Sequence, residues 1–205
     1  MTEIYLNDIP IVLLAAGQSR RMLGADKLAE VVDGVPLLTR QARMARAATG
    51  GAVIVTLPDR PHARYDLLQG LDVVPLAVPD AAEGMSRSLR AGFAALPEEA
   101  PAAMILLADL PELEADDLRR VAAAVTLDGH TRVWRGATEN GKPGHPLVVA
   151  RALFPVLMAL QGDNGGREVL RAAGDQTQLV RLPGTRAQRD LDTPEDWATW
   201  RASRG

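Results

Sequence analysis

Residues 9–27 read IPIVLLAAGQSRRMLGADK, and the change of character inside this stretch decides the fold. Ile9–Ala16 is continuously apolar, the pattern of a strand buried on both faces, and it ends at Gly17. A loop of small residues follows, with Ser19 and Gly24 among them, interleaved with Arg20, Arg21 and Lys27. Small residues let main-chain N–H groups approach a ligand closely, and amides presented in this way bind anions. Three cations set against the single acid Asp26 concentrate positive charge in a chain whose formal net charge is −3. Phosphate binding is the expectation, and a solvated basic surface loop is the plain alternative. The spacing is not a Walker A motif, because Gly24 is followed by Ala-Asp-Lys, and no G-x-G-x-x-G is present.

Outward from this stretch, short apolar runs alternate with segments of helical spacing. The pattern predicts a helix over Pro36–Ala48, strands over Ala52–Leu57 and Val73–Val78, a helix over Met85–Leu96 and a strand over Ala103–Ala108. A helix is expected near 114–125. Such alternation indicates an α/β fold with a mostly parallel sheet covered by helices on both faces, a three-layer, Rossmann-like arrangement. Ligands bind such sheets at the carboxyl ends of the strands. Gly17 and Asp109 each lie just past such an end. Beyond residue 128 the pattern loosens, with the Gly- and Pro-rich GATENGKPGHP, helices expected at 151–160 and 165–173, and a strand at 178–182. The tail reads as a final helix with Thr193 as N-cap, Pro194 at its first position and Glu195 and Asp196 in its first turn. One domain is expected over 1–205, with one half at about 9–110 and a second at about 111–200.

Asp109, in LLADLP, follows an apolar strand directly and needs a partner. It is either an N-cap for the next helix or a ligand for a hard cation, since magnesium takes one or two carboxylates together with phosphate oxygens and water. Asp190 and Asp192 alternate, so an extended segment would turn both to one face and supply a second carboxylate. Capping of the last helix accounts for Thr193, Glu195 and Asp196 and leaves Asp190 unexplained. The segment EGMSRSLR, with Ser86 and Ser88, is a helix start suited to an anion or simply a cap. Gly144-His145-Pro146 and Gly162-Asp163-Asn-Gly-Gly-Arg167 are Gly-rich loops that could shape a pocket for a second substrate.

Composition removes several classes. The mild acidity and an aromatic content of 3% argue against nucleic-acid binding. The absence of cysteine excludes disulfides, thiolate zinc sites and cysteine nucleophiles. The apolar run at Ile9–Ala16 is far too short to span a bilayer, and no basic signal-peptide region precedes it, so a cytoplasmic protein without membrane association is expected.

Taken together, LAAGQSRRM…DK, GMSRSLRAG, LLADLP, GHP, GDNGGR and DLDTPED follow in register the order found in the molybdenum-cofactor nucleotidyltransferases of the GT-A-like fold. The resemblance spans about 10–198 and is nearest to the cytidylyltransferase branch, which shares GHP and an alanine at the place of Ala16. It implies nucleotide contacts from Leu14, Ala15, Ala16, Gly17, Ser19, Arg21, Lys27, Ser86 and Ser88. Lys27 and Arg21 would bind the triphosphate, and Asp109 with Asp190 (or Asp192) would hold Mg2+. Acceptor contacts would come from Gly144, His145, Pro146, Gly162, Asp163 and Arg167. The implied partners are CTP, or GTP, and a phosphorylated pterin cofactor, with a molybdoenzyme or its chaperone as client. Two departures stand out: Asp109-Leu-Pro111 replaces the usual D-M-P, and Gly24 falls one place later than in the usual signature. The alternatives are another nucleotide in the same reaction, a redox or purine-catabolism relative, and a non-catalytic cofactor carrier.

Overall fold

Apolar runs that no solvent-facing strand could tolerate become the middle of a seven-stranded sheet in the computed structural model, which describes residues 8–162 and 165–204, with side chains except at 165 and 167–169. In chain order the elements are β1 (Ile11–Leu14), β2 (Val31–Val32), β3 (Val35–Pro36), α1 (Leu37–Ala48), β4 (Val53–Pro58), β5 (Val74–Val78), α2 (Met85–Ala94), β6 (Ala102–Leu107) and α3 (Ala115–Ala123). They continue with β7 (Val133–Ala137), β8 (Pro143–Ala150), α4 (Phe154–Met158), α5 (Gly165–Ala173), β9 (Thr177–Arg181) and α6 (Pro194–Ala202). The sheet order is β5-β4-β1-β6-β8-β7-β9, and β2 pairs with β3 in a separate small ribbon.

β5, β4, β1 and β6 run parallel, as their helical crossovers require. β8 alone is reversed, pairing antiparallel with β6 on one side and β7 on the other, while β9 lies parallel to β7. The four-residue β1 is the pivot of the sheet: the chain leaves it for β4 on one side and returns to β6 on the other. The crevice between β1 and β6 at their carboxyl ends is therefore the topological switch point.

Two apolar cores flank the sheet. On one face Ile11, Leu13 and Leu106 pack with Leu38 of α1, Leu118 of α3 and Trp197 of α6. On the other, Val12 and Ile105 pack with Leu89 and Phe93 of α2, Phe154 and Leu157 of α4 and Ala173 of α5. The α/β/α layering expected from the sequence is thus present. No helix among the described residues is long and apolar enough to cross a membrane.

The helix starts follow from local chemistry. Glu114 and Asp117 form a capping box at α3, and Thr193 and Asp196 form another at α6, with Pro194 in its first turn. The first box removes one of the two readings of Asp109: the N-cap of α3 is Glu114, so Asp109 does not fill that role.

Most boundaries shift by a few residues from those expected. The apolar run at Ile9–Ala16 keeps only Ile11–Leu14 as strand, because the chain leaves the sheet to build the loop beyond it. The helix expected at 151–160 is a 3-10 turn at Arg151–Leu153 followed by the short α4. The largest difference is at 133–150, where a loose Gly/Pro-rich region was expected and two strands form a hairpin. Its turn is closed by Thr138, whose N–H donates to the Lys142 carbonyl and whose carbonyl accepts from Gly141 N–H, with Gly141 at φ 80°.

Gly144 enters β8 against the 187 segment: a Cβ there would sit 2.1 Å from the Ala187 carbonyl oxygen, and the neighbouring His145 N–H donates to that same oxygen at 2.7 Å. Gly144→Ala should therefore destabilise the fold by about 1–3 kcal/mol, the usual cost of overpacking a rigid site. Urea unfolding of the variant beside the wild type measures it, with an unchanged midpoint as the contrary result.

Candidate active site

The loop leaving β1 turns through Ser19 and Leu23, both in the left-handed region (φ 49° and 52°), and a 3-10 turn at Arg20–Met22 lies between them. This compact path brings Lys27 back over the end of β1. Its ammonium is held 2.6 Å from Asp109 Oδ2 and 2.7 Å from Asp192 Oδ1. Burial alone would lower the Lys27 pKa, but the two carboxylates reverse the effect and raise it. Arg21, largely exposed, reaches Asp192 from the solvent side. The segment carrying Asp190 and Asp192 is fixed beside Asp109 by a hydrogen bond from Leu191 N–H to the Asp109 carbonyl, 3.2 Å.

These groups open onto a cavity of about 500 Å³ at the switch point. Of the residues singled out in the sequence, Leu14, Ala15, Ala16, Gly17, Arg21, Lys27, Ser88, Asp109, Asp190 and Asp192 line it. Among the described residues the main-chain N–H groups of Ala16 and Gly17 make no hydrogen bond, which leaves them free for a ligand. Gln18, Arg20, Leu28 and Leu107, with Ala81, Ala82, Gly84 and Met85, complete the lining.

The other residues singled out stand elsewhere. Ser86 is fully buried within α2 and does not reach the cavity, because the helix turns it toward the sheet. Ser19 turns away to donate to Asp26 Oδ1 at 3.0 Å. Gly144 and Pro146 are buried in β8 beside the end of β6 rather than exposed in a loop. His145 shares that strand; it does not line the cavity, and its Nδ1 is buried without a partner. Gly162 is outside the cavity lining, while Asp163 and the side chain of Arg167 lie outside the described residues.

The electrostatics separate the two C-terminal acids. Burial pushes Asp190 up, helped by the negative charges of Asp192 and Asp109 and by a hydrogen bond to Asp192, against a main-chain bond that lowers it. Asp192 is likewise pushed up by burial, but Lys27, Arg21 and the Asp190 hydrogen bond outweigh this and hold it below the ordinary carboxylate value. The two acids thus shift in opposite directions, and Asp192 is the one paired with Lys27.

Asp109 Oδ1 is buried with no hydrogen-bond partner, an acceptor aimed where no protein donor satisfies it. Among the described residues no three Asp, Glu or His side chains are gathered closely enough to hold an ion by themselves. Magnesium does not require that, since one or two carboxylates suffice when substrate phosphates and water complete its shell. The donors present, hard oxygens with one orphaned, fit such an ion.

The sequence reading missed Arg64. Its buried guanidinium binds the loop from behind, reaching Asp26, Ser19 and the Ala15 carbonyl. It sits in a 3-10 turn at Ala63–Leu68 (ARYDLL), and nothing in that local pattern marks the arginine as buried.

A parallel α/β sheet with an anion-receptive loop, a lysine and a carboxylate at its switch point defines the architecture of the nucleotidyltransferases. The chain belongs to the MobA-like NTP transferase domain family, whose pattern matches residues 11–179. Among similar proteins, the purine catabolism protein PucB of Bacillus subtilis is 27% identical over 91% of this chain and 92% of its own length. The molybdenum cofactor guanylyltransferase of Cupriavidus metallidurans is 30% identical over 88% of this chain and 87% of its own. The crystal structure of Rv0371c from Mycobacterium tuberculosis superposes with a TM-score of 0.77 at 26% identity, covering 94% of this chain and 97% of that one, and Rv0371c has also been solved in complex with manganese.

His145 supplies a test of the packing around β8. Burial, and then the charge of Arg135, lower its pKa from 6.5 to about 4. The folded protein keeps this ring neutral, whereas the unfolded chain takes up a proton below its ordinary pKa. Stability should therefore fall as pH drops from 6.5 toward 4, by up to roughly 1 kcal/mol per pH unit from this group. Denaturation midpoints across that range should decline less steeply in His145→Gln; parallel declines would sink the assignment.

Proposed function

We propose that the chain transfers a nucleoside monophosphate, CMP from CTP, to the terminal phosphate of a molybdopterin-type cofactor and releases pyrophosphate. The observation that carries this reading is the convergence, in one cavity, of the free amides of Ala16 and Gly17, the cations Lys27 and Arg21 and the orphaned oxygen of Asp109.

A phosphate monoester is already anionic near neutral pH, so the chemistry needs no strong general base and consists mainly of positioning and charge neutralisation. The acceptor oxygen attacks the α-phosphorus in line, a new P–O bond forms, and the bond to the β-phosphate oxygen breaks. Ala16 and Gly17 amides would receive phosphate oxygens, while Lys27 and Arg21 neutralise charge gathering on the departing pyrophosphate. Asp109 and Asp190 would hold Mg2+, with Asp192 as the alternative to Asp190. When bound, the ion supplies Lewis-acid polarisation of the triphosphate oxygens. Gly144, His145 and Pro146, at the start of β8, would border the acceptor, and Gly162, Asp163 and Arg167 would be its further contacts.

The pyrimidine assignment draws on Ala16, whose Cβ narrows the cavity where a smaller residue would leave room for a purine, and on the GHP motif. A second reading, GMP from GTP, is favoured by the relatives named molybdenum cofactor guanylyltransferase. Calorimetric titration with CTP, GTP, ATP and NADPH, with and without magnesium, separates the possibilities. Magnesium-dependent preference for CTP is the expected result. Preference for GTP would keep the chemistry and change the base, and binding of NADPH alone would overturn the transfer mechanism.

Asp109→Asn keeps the volume of the side chain and removes its charge. Turnover should fall by about a hundredfold or more, in line with the loss of a principal transition-state electrostatic contact, while the thermal midpoint changes little. Near-normal turnover in this variant would refute the role given to Asp109.

A further inference from the structure

Arg64 belongs to none of the motifs considered above, yet four of the five N–H donors of its guanidinium are used on one target. Nε and Nη2 grip the Asp26 carboxylate at 2.7 and 2.6 Å, Nη2 also reaches Ser19 Oγ at 3.1 Å, and Nη1 donates to the Ala15 carbonyl at 2.5 Å. Only 2% of the residue is exposed. Every one of these acceptors lies in the loop between β1 and Lys27.

The loop's own bonds radiate from the same knot. Ser19 Oγ donates to Asp26 and accepts from Lys27 N–H, and Asp26 Oδ1 accepts from Leu28 N–H. Arg64 thus clamps the start of the loop at Ala15, its left-handed turn at Ser19 and its end at Asp26, one residue before Lys27. Between the clamps lie Ala16 and Gly17, which line the cavity and whose amides make no hydrogen bond.

The side from which Arg64 reaches in is also fixed. Its own N–H donates to His62 Nδ1, Tyr65 Oη donates to the Pro58 carbonyl at the end of β4, and Thr39 of α1 donates to the Leu67 carbonyl. A buried ion pair is a poor way to gain stability, because desolvation offsets most of its attraction and an apolar pair of similar volume often does as well. Its geometric specificity is a different matter, since a planar fork fixes its partner in distance and direction.

We propose that Arg64 is a positioning residue for the nucleotide: it acts through the 15–28 loop, setting the Ala16 and Gly17 amides and the Lys27 ammonium in the arrangement that receives a triphosphate. The inference rests on the nucleotidyl-transfer reading of the cavity.

Two variants test it. R64K retains the charge without the fork, and D26N/R64M removes both charges, so that no buried carboxylate is stranded. Binding of magnesium–CTP and magnesium–GTP, the thermal midpoint and amide hydrogen exchange are measured for each beside the wild type. Nucleotide affinity should fall at least tenfold in both variants, with the amides of Lys27 and Leu28 exchanging faster while those of β1, β4 and β6 keep their protection. Wild-type affinity in both variants overturns the proposal, as does an affinity loss accompanied by equally faster exchange throughout the sheet. A wild-type chain that binds neither nucleotide would instead overturn the transfer reading, and the exchange at Lys27 and Leu28 would still report on the clamp.

Discussion

A single ammonium group, Lys27 Nζ, lies between carboxylates contributed 82 and 165 residues further along the chain. That geometry can exist only if three conditions hold together. The loop after β1 must fold back on itself, β6 must run parallel beside β1, and the segment before α6 must return to the same edge of the sheet. Each condition is met by a different kind of force: hydrogen bonds behind the loop, apolar pairing of central strands, and the Leu191–Asp109 main-chain bond. The cavity is the space left where these constraints meet.

Charge is distributed accordingly. A cation taken out of water would normally lose its proton more readily, yet Lys27 holds it more tightly because both neighbours are anionic. Asp190, pushed by burial and by two neighbouring acids, also moves up, whereas Lys27 and Arg21 hold Asp192 down against its own burial. Carboxylates a residue apart therefore shift in opposite directions, and the difference arises from which of them Lys27 and Arg21 can reach.

The central strands were legible in the sequence because burial on both faces writes itself as an uninterrupted apolar run, as in AVIVTL and AMILLA. Asp109 was legible because an acid directly after such a run has nowhere else to be. The hairpin of β7 and β8 was not, although Asn140-Gly141 is a strong turn signal; the abundance of Gly and Pro around it reads as loop until the reversed strand is seen paired with β6. Ser86 misled because a helix start exposes some hydroxyls and buries others, and the phase of α2 on the sheet decides which. Arg64 was illegible for a deeper reason. Its partners lie 38 to 49 residues away, and an arginine buried by long-range ion pairing has no local signature.

The reversal of β8 also has a meaning for descent with modification. Because this strand runs against β6, its turn with β7 projects from the same rim as the loop after β1, although the two are joined through different strands. Insertions or exchanges in the 138–142 turn can reshape that rim and leave the residues that line the cavity untouched. The sheet behaves as a chassis with two independently replaceable fittings, an economical route by which one scaffold comes to serve relatives with as little in common by name as purine catabolism and cofactor guanylylation.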